Sequence, residues 1–143
     1  MRNSMRIMRK ANIPVNKEKV IHPELSYAVN AVLFKVRKDL GRFCNEQQYS
    51  DAIEKELQIA GIVYEREKIL PISFVGEHTG RNKADFVIEG KILLEIKAKQ
   101  FVTKEDYYQV QRYLNALKLK LGIIVNMRSY YIHPKRIINF NIS

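Results

Sequence analysis

The chain has 143 residues, 46% of them hydrophobic and 28% charged, which suits one soluble domain with a core of its own. No apolar run approaches the roughly 20 residues that span a bilayer and no secretory signal core follows the N-terminus, so the expected location is cytoplasmic, away from membranes. The net charge of +10 favours a polyanionic partner, and a single cysteine, Cys44, excludes an internal disulfide and a cysteine-based metal site.

Residues 1–19 carry Arg2, Arg6, Arg9, Lys10, Lys17 and Lys19 against Glu18, a net +5 that is half the total. They read as a basic N-terminal arm, either a nucleic-acid contact or else a disordered leader or a misassigned start given Met5 and Met8, ahead of a single domain over 20–143. Pro23 and Glu24 open a helix in which Leu25, Ala28, Val29, Val32, Val36 and Leu40 recur at helical spacing, and Gly41 stops it. Asn45 can cap a second helix from Glu46 to Ala60, with Gln48 completing a box-like cap and Gly61 ending it. Strands are expected at about Ile62 to Leu70, Ile72 to Val75, Lys83 to Ile88 and Lys91 to Lys97, with a loop over Gly76 to Asn82. A helix from Lys104 to Lys120 and a strand from Leu121 to Asn126 follow.

The informative stretch is the hairpin around Glu89-Gly90, because it carries Asp85 on one strand and Glu95-Ile96-Lys97 on the other. Side chains alternate with period two, so Glu95 and Lys97 share a face. A two-residue loop would set Asp85 opposite Leu94 and facing away from Glu95. A three-residue loop, Ile88-Glu89-Gly90 with Gly90 left-handed, pairs Val87 with Lys91 and gathers Asp85, Leu93, Glu95 and Lys97 on one face. The second register is expected, with Asp85 and Glu95 as diagonal neighbours. Two carboxylates and an amine so arranged could hold a divalent cation against a phosphate and orient a water, which is phosphodiester hydrolysis. Alternating charge on a strand also describes a solvated face. The apolar setting of Phe86, Val87, Ile88, Ile92, Leu93 and Leu94 argues for burial on both faces, where unpaired charge is costly.

Glu46, in the first turn of its helix, is either a further acid of this site or an ordinary dipole-stabilised glutamate. Gln109 and Tyr113, four residues apart on one helix face, could reach the same ion or phosphate, although Tyr113 also fits the core stripe of Val110, Leu114 and Leu117. His22, His78 and His133 fall at no metal-ligand spacing, so a metal site would be all oxygen, favouring Mg²⁺ or Mn²⁺.

Gly41 with Glu46 and Tyr49, then Lys83-Ala84-Asp85, Glu95-Ile96-Lys97, Gln109 to Tyr113-Leu114 and Gly122-Ile123-Ile124-Val125-Asn126, resemble the GxxExxY family of the PD-(D/E)XK nuclease superfamily. The similarity runs in order from about Glu24 to Asn126, and Arg136 to Ile142 resembles the closing strand. Phe43, Lys83 and Met127 depart from the family pattern, which has a glycine, an arginine and an aromatic there; Lys83 keeps charge but lacks the bidentate fork. The resemblance implies an α/β fold with a restriction-endonuclease-like core, a mixed β-sheet flanked by helices, and metal-dependent hydrolysis of nucleic acid, DNA first. It implies that Asp85, Glu95, Glu46 and the Ile96 carbonyl hold the metal and that Lys97 is catalytic. Gln109, Tyr113, Lys99 and Lys83 would bind substrate, and the helix through Tyr107, Tyr108 and Arg112 could support a strand by stacking. Small nucleases of this kind can pair as homodimers, but no seam in the sequence is distinctive enough to name. The rival reading is a catalytically silent nucleic-acid-binding or accessory protein on the same fold.

Overall fold

The computed structural model describes residues 21–142; the basic arm over 1–19 lies outside them. Helix α1 (Pro23–Leu40) starts with proline in its first turn and buries Val29, Val32, Leu33 and Val36. It stops at Gly41, whose φ of 77° a side chain would resist. Helix α2 (Glu46–Ala60) opens with a reciprocal cap: the Gln48 N–H donates to Asn45 Oδ1 at 2.8 Å and the Asn45 N–H to Gln48 Oε1 at 2.9 Å. Its buried face is Tyr49, Ser50, Ile53 and Leu57.

The strands are β1 (Tyr64–Ile69), β2 (Lys83–Ile88), β3 (Ile92–Lys97), β4 (Leu121–Asn126) and β5 (Lys135–Ile138), and helix α3 (Lys104–Leu117) joins β3 to β4. They form one sheet in the order β1-β2-β3-β4-β5, with β3 and β4 parallel and every other pair antiparallel. One face packs on α1 and α2 through Phe86, Ile88, Ile92, Leu94, Ile96, Ile123 and Val125. The other packs on α3 through Val87, Leu93, Ile124, Val110, Tyr113 and Leu114. The mixed sheet flanked by helices expected from the sequence is therefore present, with its central strands covered on both sides. At Gly122 the approach of α3 is closest: a Cβ there would meet Val110 Cγ1 at 2.9 Å and Leu114 Cδ1 at 3.3 Å.

Several expectations need correction. The stretch Ile72 to Val75 is not a strand; Pro71 has no N–H to offer, and the Ser73 N–H is taken by the Glu77 carboxylate at 2.6 Å, so the segment turns on itself and leaves Phe74 and Val75 exposed. The first strand begins only at Tyr64 because the Ile62 N–H still caps α2 by donating to the Leu57 carbonyl at 3.0 Å. The last helix ends at Leu117 rather than Lys120, with Lys118 left-handed at φ 58° and the Leu119 N–H bonded back to the Leu114 carbonyl at 2.9 Å. The closing strand runs Lys135–Ile138, after which Asn139 is buried and turns the chain with its amide on the Leu119 carbonyl.

The hairpin loop is Glu89-Gly90-Lys91, so Ile88 pairs with Ile92, Val87 with Leu93 and Phe86 with Leu94. The expected register is off by two residues, because Glu89 as well as Gly90 is left-handed, at φ 50° and 64°, and the Lys91 N–H closes on the Ile88 carbonyl at 2.9 Å. A shift of two keeps every side chain on its expected face. It also brings Asp85 opposite Glu95 instead of diagonal to it.

Candidate metal and phosphate site

Beyond the Phe86–Leu94 pair, β2 and β3 are no longer joined by ladder hydrogen bonds. Two carboxylates bridge the gap instead. The Asp85 N–H donates to Glu95 Oε2 at 2.8 Å, and the Ile96 N–H donates to Asp85 Oδ2 at 2.7 Å. Each acid thus satisfies a backbone donor that the separating strands would leave unpaired, and each keeps a second oxygen with no hydrogen-bond partner among the described residues. In an extended strand a residue's N–H and C=O leave the same edge, so the Ile96 carbonyl opens into this gap as well.

Glu95 is only 3% exposed. Burial pushes its carboxyl up to about 8, and the neighbouring Asp85 charge adds to the rise against the pull of the Asp85 N–H and Lys97. Asp85 is raised in the same direction, by burial first, with the Ile96 N–H opposing and the charges of Glu46 and Glu67 adding to it. Two acids that hold each other and themselves partly neutral form a site short of positive charge. All-oxygen donors in that state fit a hard divalent cation, which would neutralise both.

Glu46, at the start of α2, is exposed and accepts the Ala98 N–H at 3.3 Å, so it stands at the C-terminal end of β3. Its charge reaches both buried acids. Even so, among the described residues no three carboxylate, histidine or cysteine groups converge closely enough to form a complete ligand cluster. Lys97 is mostly buried, and its charge acts on Asp85 and Glu95. Its Nζ also lies 3.7 Å from Asp106 Oδ1, while Lys99 Nζ is 2.6 Å from Asp106 Oδ2. On α3, Gln109 Nε2 donates to the Tyr113 hydroxyl at 3.1 Å. Tyr113 packs in the core and also senses Glu95: burial raises its pKa first, and the Glu95 charge adds to that. The core packing expected of Tyr113 is thus present, and its hydroxyl faces Gln109. Lys83 is exposed where β2 begins, two residues before Asp85.

Asp106 and Glu67, to which the sequence reading gave no role, and Asn126, which entered it only within a motif, complete the surroundings. Asp106 is 9% exposed and caps α3, its carboxylate accepting the Thr103 N–H at 2.8 Å, while holding Lys97 and Lys99. Burial works to raise its pKa, but Lys99, the Thr103 N–H and Lys97 outweigh that and hold it below the usual range. The spacing Thr103-x-x-Asp106 was a readable capping signal, though not for the two lysines. Asn126 brackets Lys99 with its amide, accepting the Lys99 N–H at 3.1 Å and donating to the Lys99 carbonyl at 2.7 Å. Glu67 breaks the β1–β2 pairing opposite Asp85 with a left-handed φ of 53°, which no local pattern in the sequence announces.

A family model described as the PD-(D/E)XK nuclease superfamily matches residues 23–138, a span that includes every helix and strand of the fold and every residue of this site. No curated protein and no solved structure matches the chain.

Proposed function

The chain belongs to the PD-(D/E)XK nuclease superfamily, and on that premise we propose that it is a metal-dependent nuclease that hydrolyses phosphodiester bonds of nucleic acid, with DNA as the first substrate to test. The observation that carries this reading is the pair of buried, opposed carboxylates that replaces the ladder between β2 and β3. Burying two acids side by side is unfavourable for folding alone, and a cation offsets that cost.

In this reading Asp85, Glu95 and the Ile96 carbonyl hold Mg²⁺ or Mn²⁺, with Glu46 at the rim as the further acid. When bound, the cation supplies Lewis-acid stabilisation of the phosphate and a lowered pKa for the attacking water. Lys97 orients that water and offsets charge that develops on the phosphate, while Asp106 pairs with its ammonium and with that of Lys99. Tyr113, with its hydroxyl oxygen already occupied by Gln109, keeps its own O–H to donate to a phosphate oxygen. Lys99 and Lys83 add positive charge along the backbone of the substrate. Among the described residues no helix is long and apolar enough to cross a membrane; a cytoplasmic setting is part of the same proposal.

The test is cleavage of end-labelled single- and double-stranded DNA in Mg²⁺ or Mn²⁺ by wild type, Lys97→Ala and Glu95→Ala. Metal-dependent cutting lost in both variants supports the nuclease. Its absence in wild type, with DNA still bound, would favour an accessory protein; the lean of Lys97 toward Asp106 suits that reading, since an ammonium engaged there is less free for a water.

A further inference from the structure

A second surface lies beyond the C-terminal ends of β3 and β4, and no role has been assigned to it. Phe43, in the loop before α2, is 75% exposed, and Tyr130, in the loop after β4, is 69% exposed. The Arg42 guanidinium lies over both rings, 4.8 Å from the Phe43 centroid and 5.6 Å from that of Tyr130, and the Arg128 guanidinium is 5.6 Å from Phe43. The two loops are clamped together: Arg42 Nε donates to the Arg128 carbonyl at 2.9 Å, and Arg128 Nε donates to the Arg42 carbonyl at 2.7 Å. From α1, Arg37 fixes the second loop by donating to the carbonyls of Met127, Ser129 and Tyr130 at 3.1, 2.7 and 2.8 Å. Arg42, Phe43, Gln100, Arg128, Ser129 and Tyr130 line an open hollow of about 470 Å³ with no carboxylate among them.

Exposed rings interleaved with guanidinium planes, held rigid and lacking negative charge, match a flat π system that carries an anion. A nucleotide is both. In a duplex each base already stacks on its neighbours and has no free face to offer, so the partner is an unpaired base with its phosphate. Position strengthens the argument. Phe43 is three residues ahead of Glu46, Gln100 follows Lys99 directly, and the Arg128 N–H bonds Asn126 Oδ1 at 3.2 Å while that same oxygen accepts the Lys99 N–H. A strand leaving the carboxylate gap along the C-terminal ends of β3 and β4 therefore runs onto these rings.

We infer that Arg42, Phe43, Arg128 and Tyr130 form a stacking subsite for one or two unpaired nucleotides beside the cleaved bond, so that the substrate class is nucleic acid with a single-stranded segment. The inference deepens the nuclease reading and rests on it for the meaning of the subsite, but not for its existence. It adds the loops beyond β3 and β4 to the stacking surface expected from Tyr107, Tyr108 and Arg112 on α3.

The test is binding, measured in EDTA so that no cutting occurs: fluorescence anisotropy of a labelled fifteen-nucleotide single strand and of a duplex of the same length. Phe43→Leu and Tyr130→Leu should each weaken single-strand binding about tenfold, within the roughly 5- to 150-fold that loss of one stacked base brings, and leave duplex binding within about twofold. Phe43→Tyr, which keeps a ring, should bind as wild type does, as should Tyr27→Ala, which removes an exposed ring on α1. Because Phe43 and Tyr130 are exposed, these variants should melt at the wild-type temperature. Single-strand binding unchanged in both leucine variants, an equal loss for duplex and single strand, or no single-strand binding by wild type would overturn the subsite. Incubating the same oligonucleotides with Mg²⁺ or Mn²⁺ separates the two readings. Selective loss of binding without any cutting by wild type would leave the subsite standing and remove the nuclease. Cutting by wild type with unchanged binding in the variants would do the reverse.

Discussion

The buried carboxylate pair makes a specific demand on stability. Glu95 rises from an ordinary 4.5 to about 8 on folding, so the folded chain binds its proton more tightly than the unfolded chain does. Stability from this group is complete below about pH 4.5 and is lost progressively as pH rises through about 8, where the folded state must carry the charge. Each tenfold gain in proton affinity corresponds to about 1.4 kcal/mol, so the loss is a few kcal/mol, with an upper bound on the order of 5 kcal/mol. For a chain of this size that lowers the melting temperature by about 10 °C. Glu95→Gln keeps an oxygen to accept the Asp85 N–H while removing the titration. Thermal unfolding in EDTA between pH 5 and 9 should therefore show wild type falling steadily and Glu95→Gln falling much less, with the variant the more stable protein at pH 9. Adding Mg²⁺ or Mn²⁺ at pH 8 should raise wild type by several degrees and the variant by little, since a ligand stabilises only the state that binds it. A wild type whose stability is flat or rising across that interval, or a Glu95→Gln variant weaker than wild type at pH 9, would refute the account of the site as a pair of acids held apart from water.

Lys97→Ala should reduce turnover at least a hundredfold while DNA affinity stays within about threefold, because the ammonium acts mainly as charge develops; single-turnover cleavage beside anisotropy reads both. Asp106→Asn should loosen Lys97 and Lys99 and weaken the α3 cap, lowering stability by about 1 kcal/mol in urea titration. Glu67→Gly should stabilise by about 1 kcal/mol, since glycine adopts the left-handed φ of 53° without strain, and the unfolding midpoint in urea checks this. Gly122→Ala should cost about 1–3 kcal/mol, because its methyl group would press on Val110 and Leu114 and lift α3 from β4; thermal melts and loss of α3 amide protection would register it.

The parts of this fold legible in the sequence are those governed by local chemistry. Gly41 and Gly61 end their helices because each sits at a positive φ, and Asn45 with Gln48 caps α2 within four residues. Strand faces were legible as well, since parity put Glu95 and Lys97 on one face and the choice of a three-residue loop added Asp85. The hairpin register was not, because it turned on Glu89 adopting a conformation usually left to glycine. Ile72 to Val75 has the composition of a strand, yet its backbone is claimed by Glu77 before any neighbour can pair with it. The clamp between Arg42 and Arg128 joins residues 86 apart, and no pattern within a window of sequence carries such a contact.

Where the ladder between β2 and β3 continues, its strands and their faces follow local rules; where the strands lose their ladder, side chains take over the hydrogen bonds, and the residues that do so are Asp85 and Glu95. The strained Glu67 stands opposite Asp85 on the other side, so backbone irregularity and buried charge are concentrated around one carboxylate. A protein optimised only for folding would continue the ladder and place apolar side chains there, as it does two residues away at Val87 and Leu93. Restoring that pattern with Asp85→Val and Glu95→Leu together would remove two buried acids, but it would also leave the Asp85 and Ile96 N–H donors unpaired unless the strands closed. The double variant should consequently gain less stability than the titration alone suggests, and the shortfall measures what the two carboxylates contribute as hydrogen-bond acceptors.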